Sequence, residues 1–414
     1  MLDGFSFDPF SLFDDGIGPG EVGVGRRHIV QALMISLVVV MFDERLDLVL
    51  KVTRQGSRYT EGWQTRFETC RVAVVRFVMH KASMSARNTI VLFAEPAVIV
   101  PAFCTVVSAL RFKPPCTDVR VFCVDFDQGE FETAVQAFSA LDPSVAMTQI
   151  DSAKDFDDSV WRTQLGGMGT WGRLFLDRFL PGELNRVLYL DCDTLVLRHL
   201  ALLLEANLGT CSVGACKDQF QYMHGTVEQR RKELGLSPKG DYFNAGVLLF
   251  DWQRVIGRNV LEQTRDQLRI SRGSLPLNFA DQDILNLMLD GNWCELNPGW
   301  NLMSFSLAVT QSRQPRILHF AGPRKPWSNR CPFHLKKFGR QYDIMLRKAG
   351  PFAQDFLRPP STMRIYSRHL RNLLRQAVKH RPLGKTAHSL EQVTKKHRIE
   401  AVFKAYDQKC SAAH

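Results

Sequence analysis

Short apolar runs alternate with amphipathic stretches through the middle of this chain. Thr89–Phe93 (TIVLF) is rich in β-formers and predicts a buried strand, and Ala102–Leu110 (AFCTVVSAL) predicts the helix that follows. Asp118–Asp125 (DVRVFCVD) predicts a second strand, and Glu130–Leu141 has helical periodicity. Strand, helix, strand, helix with short connections implies a parallel sheet with right-handed crossovers. Ligands of such sheets gather beyond the carboxyl ends of the strands.

The pattern continues downstream. Gly166–Pro181 (GGMGTWGRLFLDRFLP) opens on glycines and runs into a helix with Leu174, Phe175, Phe179 and Leu180 on its apolar stripe. Val187–Leu190 predicts a strand that ends in Asp191-Cys192-Asp193, and Asp241–Trp252 (DYFNAGVLLFDW) predicts another. Asn278–Asp290 predicts a helix capped near Asp281. Arg316–Trp327 (RILHFAGPRKPW) predicts a short strand opening into a loop with two prolines.

With 45% apolar residues, the 414-residue chain can bury a sizeable core. Its net charge of +11 is unevenly spread: residues 331–414 hold 18 Lys and Arg against 5 Asp and Glu, so the basicity belongs to a tail. Ten irregularly spaced cysteines form no zinc or disulfide framework, which points to a reducing cytoplasm. No apolar run reaches the roughly 20 residues that span a bilayer. Ile29–Phe42 comes nearest and is read as a buried helix, because Gln31 interrupts it and charges flank it. Gly18, Gly20 and Gly23 have dinucleotide-fingerprint spacing, but no strand precedes them and Pro19 intervenes. Three regions are therefore expected: an extension (1–87) of unassigned role, an α/β catalytic domain (88–330) and a basic helical region (331–414).

Asp191 and Asp193 carry the first sign of chemistry. In a strand, residues i and i+2 share a face, so both carboxylates could reach one Mg²⁺ or Mn²⁺. A pair of this spacing can also simply terminate a turn.

Four ordered blocks narrow the reading: GTWGRLFL with VLYLDCDTLV, then YFNAGVLLFD, then DQDILN, then LHFAGPRKPW. Over residues 88–327 they resemble the family 8 glycosyltransferases, a retaining family with the GT-A fold. The resemblance implies an α/β architecture, a Rossmann-like mixed sheet flanked by helices, here followed by the basic helical tail. It implies transfer of a hexose, galactose or glucose, from a UDP-sugar to a glycan or glycolipid such as lipopolysaccharide. Asp191, Asp193 and His319 match the metal ligands, and the imidazole tilts the site from Mg²⁺ towards Mn²⁺. Lys325 matches a lysine on the donor diphosphate, Gly322 lets the backbone approach it, and Arg173 matches a donor-contacting arginine. Asn244, Ala245 and Gly246 match the lining of the sugar pocket. Asp281 matches a ligand of donor hydroxyls, and Gln282 the residue near the anomeric carbon. Glutamine is a poor nucleophile, which favours front-face substitution.

The first strand-to-helix loop departs from the family pattern. It reads AEPAVIVPAF, with Glu95 as its only acid, a donor-binding candidate that can still accept a hydrogen bond from the base, and Ile99 where an aromatic residue would stack on it. A sugar-nucleotide-binding scaffold with impaired catalysis therefore stays open beside the enzyme reading. In the tail, Met363, Tyr366, Leu370, Leu373 and Ala377 form one helical stripe within 362–380, with arginines largely off it. This pattern suits peripheral contact with an anionic membrane on its inner face, or packing against the catalytic domain. It carries no nucleic-acid motif.

Overall fold

A computed structural model describes residues 87–156, 167–237, 240–271, 274, 276–308, 315–323, 325–327, 336–353 and 385–412. The apolar stretch at Ile29–Phe42, the glycines near residue 20 and the amphipathic stripe of 362–380 lie outside them. No helix among the described residues is long and apolar enough to cross a membrane.

In chain order the strands are β1 (Asn88–Ala94), β2 (Thr117–Val124), β3 (Val145–Ile150), β4 (Arg186–Leu190), β5 (Thr194–Val196), β6 (Val213–Lys217), β7 (Phe243–Asp251), β8 (Trp293–Glu295), β9 (Leu302–Met303) and β10 (Ile317–His319). Helices α1 (Ile99–Phe112) and α2 (Gln128–Leu141) follow β1 and β2 as the periodicity predicted. Later come α3 (Gln219–His224), α4 (Val227–Leu234), α5 (Val260–Ile270), α6 (Ala280–Met288), α7 (Lys336–Lys348) and α8 (Lys385–Ala412).

The large sheet has the order β3-β2-β1-β4-β7-β6-β8. Its first four strands are parallel, as expected, but β7 runs antiparallel to both β4 and β6, so the sheet is mixed. A small sheet, β5-β10-β9, stands beside it. Side chains of β1 alternate between two apolar layers: Ile90, Leu92 and Ala94 enter one core with α1 and α7, while Val91 and Phe93 enter the other with α6. Burial of both faces explains the unbroken apolar runs of these strands.

The stretch expected as one helix at Gly166–Pro181 is instead three short turns, Met168–Trp171, Gly172–Phe175 and Leu176–Phe179. Close packing on β1 accompanies the break. A Cβ at Gly172 would lie 2.1 Å from a ring carbon of Phe93.

The Asp191–Asp193 segment also differs from expectation, because it is a turn rather than strand. It joins β4 to β5, closed by Thr194 N and Oγ1 donating to Asp191 O at 3.2 and 2.9 Å. Cys192 points into the core, its thiol donating to Phe93 O at 3.0 Å. Both carboxylates reach the same side because the intervening residue is buried, and strand alternation has no part in it.

Helix α8 lies against α3. Its buried Ile399 and Phe403 cluster with Leu302 of β9 and with Met223 of α3. Lys409 pairs with Glu295 of β8 at 2.5 Å.

Candidate active site

The register of β4 on β7 builds the site's centre. Leu190 stands opposite Val247, so the chain leaving β4 meets Gly246, and Asp191 N donates to Gly246 O at 2.8 Å. Strand β10 pairs with β5, which places His319 opposite Thr194. Ligand atoms of Asp191, Asp193 and His319 all fall within 4.8 Å of one another. His319 Nε2 is 3.2 Å from Asp193 Oδ1 and 3.6 Å from Asp191 Oδ2. Gly246 is needed for space, since a Cβ there would sit 2.3 Å from His319 Cε1 and 2.7 Å from Asp191 Oδ2.

Two carboxylates and a buried imidazole nitrogen form a donor set suited to Mn²⁺, and to Mg²⁺ less well. Burial raises the Asp193 pKa, but His319 and Lys325 outweigh it and hold the carboxyl below the usual range. Burial pulls His319 down, but the carboxylates of Asp193 and Asp191 outweigh it and raise its pKa. Lys325 Nζ pairs with Asp193 Oδ2 and donates to Phe320 O at 2.7 Å. Gly322, three residues before it, has a left-handed φ of +83°, which favours glycine.

Arg173 lies beneath the site, 2% exposed, with its guanidinium carbon 4.2 Å from the Tyr189 ring centroid. Nη2 donates to Asp191 Oδ1 at 2.9 Å, Nη1 to Ala245 O, and Nε to Thr170 O at 3.0 Å. Asp281 Oδ2 is 2.9 Å from that same Nε. The Nε hydrogen serves Thr170, so this contact is Coulombic, and Asp281 Oδ2 has no hydrogen-bond donor. Burial, reinforced by Asp191, pushes Asp281 up to about 7 despite Arg173.

Helix α6 starts from Phe279, which offers no side-chain cap, so the cap expected at Asp281 is absent. Asp281 lies in the first turn and faces Arg173. Asp283 is fully buried on another face, where it pairs with Arg230 and accepts from Tyr242 OH and from Phe279 N, both at 2.6 Å.

Gln282 and Asn244 meet in the floor. Gln282 Oε1 accepts from Asn244 Nδ2 at 2.9 Å and from Ala245 N at 3.0 Å, and Gln282 Nε2 donates to Asp218 Oδ2 at 2.9 Å. Glu95 lies at the edge, with Oε1 accepting from Gly169 N at 2.9 Å. Ile99 is buried in the core and offers no stacking surface.

Every sequence-derived residue from Arg173 to Lys325 except Gly322 thus joins one connected set of contacts around the Asp191 turn. Three contributors had no sequence signal of their own. Asp218, Gln219 and Asn301 stand in polar segments without a motif. Gln219 Nε2 donates to Asn301 O at 2.8 Å, and Asn301 Oδ1 lies 3.0 Å from His319 Nδ1.

A mixed α/β sheet flanked by helices, with Asp191 and Asp193 just beyond the carboxyl end of a central strand, is an architecture of GT-A type. The chain belongs to glycosyl transferase family 8, which it matches over residues 70–331. General stress protein A of Bacillus subtilis is 28% identical over 161 residues, covering 36% of this chain and 54% of that protein. The lipopolysaccharide 1,2-glucosyltransferase of Escherichia coli is 25% identical over 227 residues, 52% of this chain and 64% of that protein. The chain thus spans between half and two thirds of the length of these relatives. A crystal structure of the galactosyltransferase LgtC with donor and acceptor sugar analogues aligns with a TM-score of 0.53 and 22% identity. That alignment covers 67% of this chain and 99% of LgtC, and it is a likeness of fold.

Proposed function

We propose that this protein is a metal-dependent retaining hexosyltransferase that moves galactose or glucose from a UDP-sugar to a glycan or glycolipid acceptor. The observation that carries the proposal is the convergence of Asp191, Asp193 and His319 within 4.8 Å, with Lys325 on one side and an Asp281 oxygen without a hydrogen-bond donor on the other. Membership of family 8 and the likeness to a lipopolysaccharide glucosyltransferase support a surface glycolipid as the acceptor.

Asp191, Asp193 and His319 would hold Mn²⁺, which when bound supplies positive charge against the leaving diphosphate. Lys325 exchanges its contact with Asp193 for the diphosphate and offsets the charge that grows there. Asp281 accepts hydrogen bonds from donor hydroxyls, which supplies the partner its Oδ2 lacks. Arg173 keeps Asp191 and Asp281 at a fixed separation. Asn244, Ala245 and Gly246 line the pocket, Gly246 by having no side chain.

Retention through front-face substitution is favoured by the surroundings of the candidate nucleophiles. Gln282 Oε1 already accepts two hydrogen bonds inside the protein, and Asp283 is enclosed by Arg230, Tyr242 and Phe279. The acceptor hydroxyl then gives its proton to a donor phosphate oxygen as the glycosidic bond forms.

UDP release from a panel of UDP-hexoses with Mn²⁺ tests the proposal. Turnover with at least one donor, lost on chelation and in Asp193→Ala, is expected. Neither transfer nor hydrolysis with any of them, together with unchanged nucleotide binding in Asp193→Ala, overturns it.

A further inference from the structure

Behind His319 lies a line of side-chain amides. His319 Nδ1 is 3.0 Å from Asn301 Oδ1, Asn301 Nδ2 is 2.9 Å from Asn244 Oδ1, and Asn244 Nδ2 is 2.9 Å from Gln282 Oε1. Gln282 Nε2 is in turn 2.9 Å from Asp218 Oδ2. All five residues are buried, with Asn301 only 1% exposed.

The oxygen and nitrogen of an amide are told apart by partners of fixed polarity, and here there are several. The backbone N–H of Gly246 can only donate, so the Asn244 atom 2.9 Å from it is oxygen. The backbone N–H of Ala245 likewise fixes Gln282 Oε1. Asp218 agrees from the far end: its Oδ1 accepts from Phe220 N at 2.8 Å and Gln221 N at 3.1 Å, and its Oδ2 accepts from Gln282. With Asn244 Oδ1 fixed, Asn301 must present Nδ2 to it, which leaves Asn301 Oδ1 against the histidine. An amide oxygen only accepts, so the ring hydrogen belongs on Nδ1. In the neutral ring, Nε2, turned towards Asp191 and Asp193, then carries the lone pair.

We propose that Asn301 is a positioning residue that fixes the His319 tautomer for metal ligation, and that an amide relay through Asn244 and Gln282 to Asp218 sets the polarity of Asn301. The inference rests on the reading of Asp191, Asp193 and His319 as a metal site. The relay explains why three amides and an acid lie buried side by side, each satisfied, under a single imidazole. It also assigns Gln282 a role in orientation that needs no contact between its oxygen and the donor.

The test measures Mn²⁺ binding to the protein alone by calorimetry, without donor or acceptor. Asn301→Leu removes the acceptor at similar volume and is expected to weaken Mn²⁺ on the order of 10–100-fold, the usual consequence of losing a ligand's outer partner. Asn301→Asp keeps an oxygen against Nδ1 and is expected to recover most of that affinity. Asp218→Asn puts an amide against the Gln282 amide and is expected to weaken binding by a smaller factor. Should Asn301→Leu not fold, the last two variants carry the test together with ¹⁵N spectra of the Mg²⁺-loaded protein. In those spectra the His319 hydrogen is expected on Nδ1 in the wild type. Tight Mn²⁺ binding by Asn301→Leu, or equal losses in the Leu and Asp variants, overturns the relay while leaving the metal site standing; a hydrogen on Nε2 removes His319 from the ligand set and overturns both. Wild-type protein that binds Mn²⁺ no better than Asp193→Ala overturns both.

Discussion

Asp281 and Asp283 sit two residues apart on α6, yet the helix gives them opposite surroundings. Asp283 is enclosed, with Arg230, Tyr242 and the Phe279 amide consuming its lone pairs. Asp281 has a cation near it at Arg173, but Oδ2 receives no hydrogen bond. A folded protein seldom leaves a buried carboxylate oxygen without a donor unless a ligand provides one. On the proposed function the saturated acid serves the fold and the unsaturated one the donor, a division that residue type alone could not make.

Breaking the enclosed side has the largest effect on stability. Asp283→Ala strips the buried Arg230 guanidinium of its buried carboxylate, leaving it the partly exposed Glu233 at 2.8 Å, and should cost about 3 kcal/mol, read from urea denaturation. Asp281→Asn should instead leave the denaturation midpoint unchanged or raise it, because a neutral amide suits the site better than a buried carboxylate. Sugar transfer in that variant should fall about 10²–10³-fold, measured by UDP release.

A pH titration sharpens the same contrast. Asp281, pushed up to about 7, takes a proton as pH falls and loses an acceptor for donor hydroxyls. Donor affinity should therefore be full above pH 7 and decline below it, and the decline should vanish in Asp281→Asn. Stability runs the other way. Between the ordinary value of 3.8 and about 7 the unfolded chain binds fewer protons than the folded one, so this group lowers stability as pH rises.

The smallest expected effect lies in the β1–α1 loop. Glu95 is engaged by Gly169 N, and Ile99 is in the core. Replacing uridine in the donor by another nucleoside should change affinity by less than about tenfold, within roughly 1.4 kcal/mol, in competition against UDP-sugar. A much larger discrimination would place base recognition on residues outside this loop.

Much of this was legible in the chain. Strands buried on both faces are continuous apolar runs, so β1, β2, β4 and β7 stood out, and the acids after β4 and the histidine closing β10 marked the candidate site. The turn at Asp191–Asp193 was not legible, because whether Cys192 enters the core depends on Phe93, far away in sequence. The break at Gly172 likewise accompanies close packing on Phe93, whose ring would lie 2.1 Å from a Cβ there. Asn301 and Asp218 were hidden for another reason: buried polar residues that satisfy one another resemble loop residues until the fold brings them together.

The docking of α8 has a topological consequence. Ile399 and Phe403 of α8 cluster with Leu302 of β9, and Leu302 pairs with Leu318 of β10, one residue before His319. A side chain near residue 400 thereby bears on the strand that carries His319, so the last described helix and a candidate metal ligand share one support.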